Sequence, residues 1–304
     1  MLSDKPFRTL EELCDILVNK RGLACDDIGL LKGFLAKTNY YRFSGYAREF
    51  QVDPRYGDNR FINGSSFESI NEVVRLDSKM RLLLMEQLSV IEIAVRALIA
   101  HEYGRAYGEK AFYLDANFYH QSDNSKEDRP FDIVKNILSD LSRDKGNMVS
   151  RYVDESGAGE DFDSRIRRYA NVPIWVAVEV VSFGRISNMI SYAKDLEPAK
   201  AAAGTLGVQW APFADVIHSF SVLRNLCAHH RQLWNRRMGI LCPVQKKLKP
   251  RNIKFDSTSA YCQLLMANHY RQKIDGDTSV AHKIESVLAE SEPYSKGFRM
   301  PNPK

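Results

Sequence analysis

From Arg224 to Arg236 the chain reads Arg-Asn-Leu-Cys-Ala-His-His-Arg-Gln-Leu-Trp-Asn-Arg, which crowds imidazoles, guanidiniums and carboxamides into thirteen residues. Core-facing helices do not carry this mixture. It suits RNA cleavage without a metal, which needs a base for the 2′-hydroxyl, an acid for the 5′-oxygen and a cation for the phosphorane. Histidine titrates near neutrality and can fill the first two roles, and arginine the third. The segment holds all three ingredients.

The spacing sets a geometric problem. On a straight helix His229 lies about 140° around from Arg224 and His230 about 120° the other way, whereas Asn225 and His229 are nearly cofacial. Either the helix is distorted after Leu226, or arginine and histidine meet across a dimer, which would also supply one histidine as acid and another as base. Other chemistries fit less well. Cys227, His229, His230 and Cys242 match no usual zinc-ligand spacing. A Ser-His-Asp hydrolase has no G-x-S-x-G elbow here. No metal and no cofactor is expected.

The surroundings of the segment are basic. No Asp or Glu occurs between Asp215 and Asp256, while Arg224, Arg231, Arg236, Arg237, Lys246, Lys247, Lys249, Arg251 and Lys254 lie there. Removing these nine charges from the net +5 of the 304-residue chain leaves the remainder slightly acidic. Two readings stand: a polyanion site, most simply nucleic acid, or a solvated basic face. On the first, Arg231, Arg236, Arg237, Lys246, Lys247, Lys249 and Arg251 are the RNA-backbone candidates. With 44% hydrophobic and 27% charged residues, the chain has the composition of a globular protein of one elaborated domain or two small ones. Five scattered cysteines without a C-x-x-C point to free, mostly buried thiols. No apolar run approaches the ~18 residues of a membrane span, and the start lacks signal-peptide regions, so a cytoplasmic location and no membrane partner are expected.

The elements that must position the segment read as helices. Thr9–Lys20 and Asp26–Lys37 carry apolar residues at spacings of three and four, and the second runs into the aromatic stretch Asn39–Tyr46, where Gly45 offers a stop. Residues 53–66 read as a loop. Phe67–Glu102 keeps helical spacing with no Pro or Gly inside, roughly 50 Å of spine, and Glu92 and Arg96 are placed four apart to pair. A helix is expected around Phe131–Val153 between polar loops at 121–129 and 154–163. Another starts at Pro173, with Gly184 as a bend before Ile186–Leu196. Further helices are expected over Ala211–Leu226 and Val280–Glu290, and no convincing strand anywhere. For Glu92 and Arg96 a structural ion pair outweighs a catalytic role. Tyr40, Tyr41, Phe43 and Tyr46 could stack bases, but core packing is the simpler reading, as it is for Trp175 and Phe183.

The run from Arg224 resembles the Arg-x4-6-His motif of the HEPN superfamily, in the variant of the Abi-like abortive-infection family (AbiD/AbiF type), and is similar to motifs in HEPN nuclease domains of type VI CRISPR effectors. Ordered blocks accompany it: Lys5-Pro6, Arg21-Gly22-Leu23, Asn39 to Tyr46, Arg81 to Arg96 and Pro173 to Gly184. The resemblance covers roughly residues 5 to 240. It implies an all-α HEPN-type bundle, divided here as an N-terminal helical extension (1–60), a helical core with the motif (61–255) and a helical tail (256–304). It further implies a homodimer that brings two motifs together, and metal-independent endoribonuclease activity in phage defence. Some relatives are linked to a small structured RNA. Carried over, Arg224 is the motif arginine, Asn225 the polar residue after it that orients a proton, and His229 the histidine. His230 satisfies the spacing with five intervening residues. The competing reading is a non-catalytic RNA-binding module that holds a structured RNA or senses a phage trigger.

Overall fold

A computed structural model describes residues 6–121, 128–144, 146–156 and 159–303. Lys5, Gly157 and most of the expected loop at 121–129 lie outside them. Three short helices open the chain. Helix α1 (Leu10–Asp15) starts in a capping box between Thr9 and Glu12 and continues through one π turn over Ile16–Lys20. Asp27 caps α2 (Ile28–Lys37), and the backbone becomes extended at Thr38. Asn39 then caps a separate helix, α3 (Tyr40–Ala47), by accepting from the Tyr41 N–H. Gly45 is therefore no stop: α3 passes through it, and its small size admits Gln232, whose Oε1 would lie 3.0 Å from a Cβ there.

Where a plain loop and no strand were expected, β1 (Gln51–Asp53) and β2 (Asp58–Phe61) form an antiparallel hairpin, pairing Gln51 with Phe61 and Asp53 with Asp58. Strands this short show too few side chains for alternation to register, and Phe61 is the buried apolar residue of the second.

Ser66 caps α4 (Phe67–Tyr107), the spine of the molecule, and Gly108 ends it at φ +74°. Its 41 residues span about 60 Å, a turn beyond the expected end at Glu102. Ile70, Val73, Leu76, Met80, Leu84, Leu88, Ile91, Val95 and Ile99 are buried along one face. Each such side chain contributes roughly 1.5–3 kcal/mol of apolar burial.

Around this spine pack α7 (Ile174–Val180), α9 (Glu197–Leu206), α10 (Phe213–Ala228), α11 (Ala260–Asp275), α12 (Ser279–Glu290) and α13 (Glu292–Arg299). Outside them lie α5 (Arg129–Ser142), α6 (Phe162–Tyr169) and α8 (Phe183–Tyr192). Helix α5 ends well short of Val153 because the Asp144 carboxylate gathers the N–H groups of Gly146 and Val149 into a turn. The break after α7 falls at Val181 and Ser182 rather than at Gly184, which is helical. Trp175 is not core: 48% of it is exposed, its ring resting on Gly104 of α4. Phe183 is buried as expected.

With thirteen α-helices and one small hairpin among the described residues, the fold is all-α. One cluster of buried apolar residues runs from Cys14 to Phe298, so residues of the first and last stretches share the core of the spine. Cys14, Cys227, Cys242 and Cys262 are buried free thiols and Cys25 is partly exposed. Among the described residues no helix is long and apolar enough to cross a membrane.

Candidate active site at the end of the tenth helix

Helix α10 stays regular to Ala228, two residues past the expected end, and then reverses. The N–H of His230 donates to the Cys227 carbonyl and that of Arg231 to the Leu226 carbonyl, with His230 itself at φ +53°. This pair of bonds is a Schellman motif, and the residue it forces into the left-handed region is glycine in most proteins. Here it is histidine, at a cost of order 1 kcal/mol. The separation of about 140° between Arg224 and His229 therefore stands within one chain, because α10 is regular through Ala228 and the His229 N–H still donates to the Asn225 carbonyl; only His230 leaves the helical track.

Arg224 is still on the helix. Its Nε lies 3.2 Å from Glu92 Oε2 on α4, and an Nη reaches the Asn225 side-chain oxygen at 3.2 Å. Glu92 in turn pairs through its other oxygen with Arg96, and Arg96 donates to the carbonyls of Val178 and Val181 at the end of α7. The expected Glu92–Arg96 pair is present, and it also tethers the motif arginine. That second contact was not legible, because helical spacing reports neighbours on one helix only. Asn225, His229 and His230 are exposed and Arg224 is partly so.

The chain after the histidines is fastened at every step. Arg42 of α3 donates to the His230 carbonyl, and Arg81 of α4 reaches the Arg231 carbonyl at 3.4 Å. Asp77, wholly buried, accepts the N–H groups of Leu233 and Trp234 at 3.1 and 2.9 Å, the hydroxyls of Tyr46 and Tyr294, and Arg81. Burial first, then the Asp77 charge, push the Tyr46 phenol well above its usual value, so it stays a donor. Trp234 stacks on Phe50 and donates to the Pro293 carbonyl, and Gly297 of α13 lies so close that a Cβ would collide with the indole. Asp77 and Arg42 did not stand out in the sequence, although Asp77 and Arg81 have the same four-residue spacing as Glu92 and Arg96.

The basic candidates divide into two groups. Arg231 and Arg236 follow the motif directly, and Arg236 is pushed below its usual value by burial and by the charge of Arg231. Arg237, Lys246, Lys247, Lys249 and Arg251 have exposed side chains. The lysines lie on and after the short 3-10 turn Lys246–Leu248, which packs against α11. Among the described residues none of these seven forms a salt bridge with a carboxylate. Burial raises the Cys227 and Cys242 thiols to about 12, which leaves neither as a thiolate near neutrality. No group of three His, Cys, Asp or Glu side chains among the described residues could hold a metal ion.

An all-α bundle that carries an arginine near the end of one helix and histidines at the reversal after it is consistent with a HEPN-type protein. A family model for Abi-like proteins matches residues 33–235, and the chain belongs to that family. The match takes in Asn39–Tyr46, Arg81–Arg96, Pro173–Gly184 and the motif, and leaves Arg21-Gly22-Leu23 outside it. Membership suggests a part in abortive infection, a form of phage defence. No curated protein and no solved structure matches the chain.

Proposed function

We propose that the chain is a metal-independent endoribonuclease of phage defence, cleaving RNA through Arg224 and His229 in a site composed from two copies. The carrying observation is the treatment of the motif. Arg224 is aimed by Glu92, the left-handed His230 has its carbonyl held by Arg42 of α3, and the chain just after it is fastened by Arg81 and Asp77 of α4. A surface helix end with no chemistry to perform needs none of this, and strain held in place by surrounding structure is a mark of function.

In the reaction a histidine takes the 2′-hydroxyl proton, and the oxygen attacks the adjacent phosphorus. The second histidine returns a proton to the departing 5′-oxygen. The strand then ends in a 2′,3′-cyclic phosphate and a 5′-hydroxyl. Arg224 has one Nη unclaimed by any protein group among the described residues, and this donor faces the charge that grows on the phosphorane. A homodimer supplies His229 twice, as base and as acid, with Asn225 orienting one proton. Arg231 and Arg236 take flanking phosphates, and Lys246, Lys247, Lys249 and Arg251 hold more distant backbone.

Purified protein incubated with total RNA in EDTA tests this, with 3′ ends mapped. Cleavage leaving cyclic phosphates is expected. Arg224→Ala and His229→Ala should each lower the rate by about 10²–10⁴, with the melting temperature unchanged and growth arrest lost. Binding of RNA without cleavage by the wild-type dimer would instead favour the non-catalytic RNA-binding module.

A further inference from the structure

The aromatic block around α3 divides by burial. Phe43 and Tyr46 are buried, as core packing requires, but Tyr41 is 63% exposed. Its ring forms part of the wall of an open cleft of about 790 Å³ between the segment before α1, the chain after it, α3 and the hairpin. Thirteen of the described residues line this cleft, among them Phe7, Arg8, Arg21, Tyr40, Tyr41 and Arg48, and none of these thirteen is an Asp or Glu. Arg8 has Glu12 at 3.5 Å in an exposed pair, while Arg21 donates to the Tyr40 hydroxyl at 2.9 Å and has no carboxylate within ion-pair distance among the described residues. The guanidinium of Arg21 and an exposed phenol ring in one concavity suit a ligand that is anionic and flat-faced at once.

The cleft adjoins the histidine turn. Gly45 lines it and also meets Gln232, and Arg42, the residue after Tyr41, holds the His230 carbonyl. One helix about 10 Å across therefore separates the cleft from the histidines.

We infer that this cleft seats an unpaired stretch of the RNA beside the scissile phosphate, one base stacking on the exposed ring of Tyr41 and a backbone phosphate meeting Arg21. The inference rests on the ribonuclease reading for the scissile phosphate, but not for the binding. A duplex keeps its bases stacked on one another and cannot offer one to Tyr41, so the cleft selects single strands.

Binding is measured separately from cleavage in the His229→Ala protein, by anisotropy of a short fluorescein-labelled single-stranded RNA and of the same strand annealed to its complement. Adding Tyr41→Ala should weaken single-strand binding about tenfold, the order of one lost base–aromatic stack, and leave duplex binding and the melting temperature unchanged. Tyr41→Phe should restore the affinity, and Arg21→Gln should flatten the salt slope by about 0.7. Unchanged single-strand affinity in Tyr41→Ala overturns the inference, as does equal loss on the duplex. Competition by a free nucleoside monophosphate as strong as that by the RNA also overturns it, because the site would then be one for a nucleotide. If the wild type binds in this pattern yet never cleaves, the ribonuclease reading falls and the cleft stands; if it cleaves and Tyr41→Ala binds normally, the cleft alone falls.

Discussion

Helix α4 carries two acid–arginine pairs at four-residue spacing, Asp77–Arg81 and Glu92–Arg96, about 22 Å apart along its axis. They look interchangeable in sequence and differ in what they hold. Asp77 and Arg81 are sealed, at 0% and 3% side-chain exposure, and Asp77 accepts two backbone N–H groups of the chain that follows the histidines. Glu92 and Arg96 sit nearer solvent, at 11% and 12%, and Glu92 ends on a side chain, the guanidinium of Arg224. The first pair therefore fixes the path of the main chain and the second the aim of one functional group. Removing one partner of a buried pair strands a charge, so the first should fail as structure and the second as function.

The largest effect follows from that difference. Asp77→Ala leaves Arg81 buried without its counter-charge, and leaves the Leu233 and Trp234 N–H groups and two buried tyrosine hydroxyls without their acceptor. A loss of about 3–5 kcal/mol in urea unfolding is expected, with activity lost because the histidine turn is released. A loss under about 1 kcal/mol would mean that the two pairs are alike after all, given what unsatisfied buried groups cost.

A smaller effect, and of another kind, is expected at Glu92. Glu92→Gln keeps the shape and one acceptor but removes the charge that orients Arg224 at 3.2 Å. Single-turnover cleavage at saturating RNA should slow about tenfold with RNA affinity little changed, the order a misaimed group costs. Unfolding free energy should fall by less than for Asp77→Ala, because glutamine keeps an acceptor toward Arg96 and this pair lies nearer solvent. A positioning role demands more: in an Arg224→Ala background Glu92→Gln should cost nothing further, since the group it aims is gone. Additive losses would mean that Glu92 acts on the reaction by another route.

The contrast also marks what the sequence could disclose. The spine, the motif and the Glu92–Arg96 pair were legible because each is local: helical spacing brings residues three and four apart together whatever the rest of the chain does. Glu92 to Arg224 and Asp77 to Trp234 cross more than a hundred residues, and no periodicity encodes such contacts. Helix α11 escaped notice for a different reason. Gln263, His269 and Arg271 are buried on it beside Leu264 and Met266, so its apolar stripe is interrupted by polar residues, of which Arg271 pairs with Asp275 and Asp277. The reversal at His230 was hidden by composition, since a left-handed cap is announced by glycine and here carries histidine.

That cap gives the smallest effect and the sharpest division of labour between the two histidines. His230 sits at φ +53° with its carbonyl held by Arg42 and its N–H by Cys227, all of them backbone contacts that survive loss of the imidazole. His230→Gly removes the Cβ that disfavours this conformation. It also loosens the unfolded chain, so the net change in stability should be a gain of at most about 1 kcal/mol. Stability and activity then move independently. If His229 alone transfers protons, His230→Gly is a slightly more stable enzyme with cleavage within about twofold of wild type, because no general acid or base has been removed. If the histidines divide the work, the same variant is equally stable and loses about 10²-fold or more. A clear loss of stability would contradict the cap itself, since glycine is the residue that geometry accommodates most easily.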